Sequence, residues 1–69
     1  MELYIGQEIQ IPGGTMISGG GCPGTYSTNE QGGTLTYKNR SRLKGCALFR
    51  TEDGILLNLP INQVENYEV

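Results

Sequence analysis

Apolar and polar residues alternate at the start of this chain: Leu3, Ile5, Ile9 and Ile11 hold odd positions, while Tyr4, Glu8 and Gln10 take the other face. A period of two predicts a strand with one buried side, here interrupted by Gly6 and Gln7, with Gly6 marking a bulge or bend. Pro12-Gly13-Gly14 ends that strand. Residues 13–24 then contain six glycines, and Met16-Ile17 is their only apolar anchor. This pattern predicts a long loop or a bulged segment rather than regular structure. Gly24–Thr28 and Gly33–Lys38 are rich in Thr and Tyr and read as strands. Asn29-Glu30-Gln31-Gly32 between them reads as a hairpin loop.

The C-terminal third, Gly45–Val69, carries the clearest signals. Two short apolar runs flank Glu52-Asp53-Gly54, and Asp-Gly between such runs predicts a β-hairpin. Cys46 and Leu48 would share one face of the first run, Ala47 and Phe49 the other. Pro60 closes the second run, Ile61-Asn62-Gln63-Val64 has the length of one helical turn, and a last strand would carry Glu65 and Glu68. No helical apolar stripe occurs anywhere. The expected fold is all-β, with about five short strands and one short helical turn near the C-terminus.

Sixty-nine residues make one domain. With no Trp, one Phe and four Tyr, the core barely offsets the entropy of ordering the chain, so a staple is expected. The absence of His and the presence of only two Cys argue against a structural zinc site. A Cys22–Cys46 bridge or self-association remains. The first residues lack a basic, apolar leader and no segment is long enough for a membrane span, so a soluble cytoplasmic chain with reduced thiols is expected. In that setting the sequon Asn39-Arg40-Ser41 reads as chance, and Cys46 as a small buried hydrophobe.

Charge sharpens the picture through its distribution. The net charge is −2, yet Lys38, Arg40, Arg42 and Lys44 supply four of the five cations within seven residues. Spaced two apart, they would project from one face of an extended strand. Such a row suits an acidic protein surface or a phosphate backbone, and it equally suits an edge strand that repels other edges. Tyr37 beside it and Tyr26 farther off are the aromatics available for stacking on a base.

The run Gly19-Gly20-Gly21-Cys22-Pro23-Gly24 matches G-x-G-x-x-G in letters, but Pro23 precedes the last glycine and no helix follows. The pyrophosphate site of that motif needs a helix N-terminus. A mobile loop offering backbone N–H groups of Gly19, Gly20 and Gly21 to a ligand or partner is the functional alternative. Cys22 has no His to activate it, and no pair of carboxylates flanks an evident cleft. These absences argue against an enzyme, and no cofactor is expected.

The order strand, hairpin, strand, Pro-led turn and closing strand in residues 45–69 resembles the end of small SH3-like barrels. A more specific resemblance is to the plasmid-borne type II dihydrofolate reductases, short chains that assemble around a shared pore. Their ending, P-[VI]-x-x-[LV]-E, is matched by Pro60, Ile61, Val64 and Glu65. Their functional V-Q-I-Y run is replaced here by Leu56-Leu57-Asn58-Leu59. The resemblance therefore implies a partly open SH3-like barrel and a precedent for homo-oligomers, without an activity. The expected function is a non-catalytic module that docks on a protein partner as inhibitor or adaptor, of a kind common among phage and mobile-element products. The contacts would come from the glycine-rich segment and the basic row. A homo-oligomer enclosing a small anionic ligand such as a nucleotide, with Arg40 or Arg42 as counter-charge, and a nucleic-acid binder are the alternatives.

Overall fold

The strand expected at the start forms where its period is cleanest, with Ile9 and Ile11 buried and Glu8 and Gln10 exposed. The computed structural model describes residues 3–67. Its elements are β1 (Glu8–Ile11), β2 (Met16–Gly19), β3 (Cys22–Ser27), β4 (Gly33–Arg40), β5 (Cys46–Arg50), β6 (Leu56–Pro60) and α1 (Ile61–Glu65). The all-β class and the short C-terminal helix are as expected. There are six strands rather than five, in two antiparallel sheets ordered β1-β4-β5-β6 and β2-β3, and they do not close into a barrel. No helix among the described residues is long and apolar enough to cross a membrane.

The alternation fails before β1. Ile5 is 73% exposed, because residues 4–7 turn instead of extending. Gly6 sits at φ +90° and donates to the Tyr37 carbonyl at 2.8 Å, while the Gln7 N–H donates to the Tyr4 carbonyl at 2.9 Å. Gly6 is thus the bend the sequence suggested.

The glycine-rich segment is not a loop. Met16–Gly19 and Cys22–Ser27 pair as a hairpin in which Ile17 faces Tyr26 and Gly19 faces Cys22. That leaves Gly20 and Gly21 as a two-residue connection, at φ +65° and +81°. Positive φ at both central residues matches the right-handed twist of the flanking strands, and glycine adopts it without steric cost. Asn29–Gly32 is consequently not a hairpin loop: β3 and β4 belong to different sheets, and this turn passes the chain from one to the other. Thr28 secures the crossing, its Oγ1 donating to the Pro12 carbonyl at 2.7 Å and accepting from the Thr15 N–H at 2.9 Å.

The hairpin around Asp53-Gly54 is present as expected. Arg50 pairs with Leu56, and the Thr51 N–H donates to the Ile55 carbonyl at 2.9 Å across a five-residue loop, 51–55. Phe49 lies at the centre of the core, fully buried, with the Tyr37 ring edge-on at 5.6 Å. Ile9, Ile11, Leu35, Ala47 and Leu59 complete the inner face of the four-stranded sheet, and Ile17 of the hairpin and Val64 of α1 pack into the same cluster. Pro60 leads into α1 with an extended ψ of 124°. The expected closing strand does not follow: Glu65 ends the helix and Asn66-Tyr67 is a turn, while Glu68 lies outside the described residues. The two polar residues after Val64, Glu65 and Asn66, supply no alternation, and Tyr67 instead packs back on the core.

Two contacts dock the hairpin on the rest. The Gln63 side chain holds the Ser18 backbone, with Nε2 donating to the carbonyl at 2.7 Å and Oε1 accepting from the N–H at 3.3 Å. A Cys22–Cys46 disulfide joins the first residue of β3 to the first residue of β5, with Cα atoms 5.9 Å apart. The bridge is thus the staple realised within the chain, and a closure of this length is worth about 3 kcal/mol in the chain-entropy view. Cys46 is buried, as expected, but as half of a bond and not as a free thiol.

Between these contacts, Gly24 lies flat on the backbone of Asn58. A Cβ there would stand 2.6 Å from the Asn58 carbonyl oxygen and 2.9 Å from its nitrogen. At Gly21 a Cβ would meet open space, and only its φ of +81° resists substitution. Gly24→Val should therefore lower the unfolding free energy by about 3 kcal/mol. Gly21→Ala should lower it by about 1 kcal/mol. Urea denaturation of both variants checks the order, and equal losses would mean that the close approach at Asn58 is relieved by movement of the hairpin.

Candidate functional site

The four clustered cations do not form a row. Pairing of β4 with β5 slips between Tyr37–Phe49 and Asn39–Leu48, so Lys38 occupies a bulge. The strand ends at Arg40, and Ser41 organises a compact turn. The Ser41 N–H donates to the Cys46 carbonyl at 3.2 Å, the Leu43 N–H to Ser41 Oγ at 3.1 Å, and the Cys46 N–H to the Leu43 carbonyl at 3.1 Å. Arg42 and Lys44 ride on this turn, exposed. A hydroxyl able to cap a turn and Gly45 at φ +79° favour bending over extension. β4 lies between β1 and β5, but β1 pairs only with Gly33–Thr36, so the end of β4 that carries Lys38 and Arg40 is paired on its β5 side alone.

The aromatics part company as well. Tyr37 is only 8% exposed and packs in the core. Tyr26 sits toward the far end of β4 from Arg40, its hydroxyl over Gly33 beside the Glu52 carboxylate. Glu52 in turn accepts from the Thr34 N–H at 3.1 Å. Burial, and after it the nearby charges of Glu52 and Asp53, push the Tyr26 phenol above its ordinary 10.0.

Two of the hollows lined by described residues bear on the singled-out positions. The first, about 550 Å³, lies on the outer face of the four-stranded sheet over Glu8, Thr34, Thr36, Lys38, Arg50 and Glu52. It is lined by both signs of charge and has no apolar floor. The second, about 380 Å³, brings together parts distant in sequence: Gly20 from the hairpin tip, Arg40 from the end of β4, Gly45 from the turn, and Pro60, Ile61, Asn62 and Glu65 from the start and end of α1. Pro60 is buried beneath it and Ile61 half-buried. The Ile61 N–H donates to the Gly45 carbonyl at 2.9 Å, which fixes α1 against the turn.

Of the residues singled out in the sequence, Gly20 and Arg40 meet at this second cleft. Gly19 and Gly21 are exposed beside it on the hairpin tip, and Lys38 lines the other hollow. Arg42, Lys44 and Tyr26 line neither. Sequence reasoning missed Gly45, Pro60, Ile61, Asn62 and Glu65. The available signal was Pro60 itself, an apolar residue at a forced strand-to-helix corner.

Behind the cleft, one polar group is left without a partner. Asn58 Nδ2 donates to Ser41 Oγ at 2.8 Å, but Asn58 Oδ1 is buried and unbonded. An unsatisfied buried acceptor of this kind costs about 1–3 kcal/mol. No protein-family model, curated protein or solved structure matches the chain, so the site is read from its own geometry.

The Tyr26 environment gives a pH dependence with a definite sign. Because the folded phenol titrates above the unfolded one, its contribution to stability is complete below pH 10 and is lost as pH rises through the folded value. A 295 nm titration should show a component of the tyrosinate transition above 10 that is absent in Tyr26→Phe. It should move down in Glu52→Gln without returning fully to 10, since burial remains. A transition unmoved by Glu52→Gln would exclude the carboxylate as a cause.

Proposed function

We propose that this chain is a non-catalytic binding module that docks a protein partner in the cleft between the hairpin tip, the 41–45 turn and α1. The observation that carries the reading is the convergence of three separate segments on one open hollow, with Arg40 and Glu65 at its walls and half-buried Ile61 in its lining. Exposed Leu43, on the adjoining turn, extends its apolar surface. Half-buried Ile61 supplies apolar area to desolvate, and Arg40 offers a fork-shaped donor to a partner carboxylate. A hollow this small fits a short segment of a partner and a transient complex. The role of inhibitor or adaptor follows from docking without chemistry.

The strand order supports an SH3-like arrangement: a first strand, a long hairpin excursion, a three-stranded meander and a short helix. Dispersal of the four cations and burial of Tyr37 favour a protein over a nucleic acid. The alternative of a small anionic ligand shared between copies rests on the same Gly20 and Arg40.

Panning a random peptide library on the oxidised protein should return sequences whose affinity falls about tenfold or more in Arg40→Glu. Glu8→Lys, on the outer face of the sheet, should leave it within about twofold. Peptides indifferent to Arg40→Glu would remove the cleft from the account.

A further inference from the structure

The Cys22–Cys46 bond occupies a position that couples it to the cleft. Cys22 directly follows the hairpin tip Gly20-Gly21, and Cys46 directly follows the turn that ends at Gly45. One covalent bond therefore fixes two walls of the same hollow. The chain has no other cysteine, so this bond has two states and no alternative pairing.

The seam it holds has no hydrogen-bonded strand ladder across it. β2 and β3 form a separate two-stranded sheet, and a lone hairpin is marginal in water. Its contact with β6 includes Gly24, which lies on the Asn58 backbone and contributes no side chain. Ile17 and the Gln63 clamp on Ser18 remain as the other anchors. The four-stranded sheet, by contrast, carries its own paired strands and the Phe49 core. Local release of the hairpin breaks no strand ladder, and it uncovers Ile17, Tyr26 and the part of the sheet's apolar face beneath them.

We infer that the Cys22–Cys46 bond is a redox gate on the docking cleft: oxidised, it holds the hairpin tip in place as a wall, and reduced, it lets the hairpin leave the sheet. The inference rests on the docking reading for its consequence, not for the release itself. The reductant is a dithiol, either a protein of the thioredoxin class or a small reagent. Its thiolate attacks the half-buried Cys22 sulfur, the S–S bond breaks, and Cys46 departs as a thiolate that takes up a proton. The second thiol of the dithiol then displaces Cys22, which also ends as a thiol, while the dithiol becomes its own disulfide. Two electrons and two protons pass to the chain. Such a gate would stand open in a reducing compartment and closed in an oxidising one.

Backbone amide hydrogen exchange on the full chain, with and without dithiothreitol, reads the release without any partner. Reduction should speed exchange at Ile17 and Tyr26 by about tenfold or more and leave Leu35 and Phe49 within about twofold. Cys22→Ser, which keeps Cys46 as a buried thiol, should reproduce the reduced pattern without reagent. Uniform acceleration across both sheets would overturn the gate, since the bond would then be a staple of the whole fold. Unchanged exchange at the hairpin would overturn it equally. Local release together with peptide binding indifferent to Arg40→Glu would keep the moving hairpin and dismiss the cleft as the docking site.

Discussion

A sheet with one apolar face has to cover that face with something, and a chain this short has little left to do it with. Here the inner face carries Ile9, Ile11, Leu35, Phe49 and Leu59, and the material available is one hairpin and one helix of five residues. Ile17 and Val64 are the side chains those two elements commit to the core. Both are anchored far from their neighbours in sequence: the hairpin by a disulfide and the Gln63 clamp, the helix by the Gly45 carbonyl. The flat approach of Gly24 to Asn58 follows from the same need, because any side chain at that point would hold the hairpin off the sheet.

The cleft is a consequence of strand register. Cys46 pairs with Pro60, so the turn entering β5 and the helix leaving β6 must lie side by side. Once the disulfide is anchored at Cys46, the hairpin tip is drawn to that same corner. Arg40 arrives there because β4 pairs with β5 through Arg40 and Ala47. No single segment encodes the hollow. It exists where three independent placements coincide.

This explains which parts were legible from the residues. Local signals read true: the Asp-Gly hairpin, the Pro60-led turn, and the alternation of Ile9 and Ile11 each depend on neighbours a few positions away. The glycine-rich hairpin was hidden because glycine has no side chain to show a period. The pattern was still present, as Gly20-Gly21 between Met16-Ile17 and Thr25-Tyr26. The basic row failed for a different reason. Spacing of two defines a face only while the chain stays extended, and Ser41 and Gly45 end that extension at Arg40. Tyr37 followed the same alternation as Leu35 into the core. The partnership of Cys22 and Cys46 was unreadable, since one lay in an apparent loop and nothing local tied it to β5.

Ile11 pairs directly with Gly33, so the chain leaves the sheet and returns to it at a single rung. Everything between, residues 12–32, is an excursion whose two ends meet. The closure entropy of such an insert grows only slowly with its length, and its length is uncoupled from the β1–β4 register. A segment of this kind can be lengthened, shortened or grafted while the sheet beneath keeps its pairing. The sheet and the hairpin tip can therefore vary separately, with Ile17 and Tyr26 kept to cover the core and Cys22 as the point at which a new tip would have to be moored.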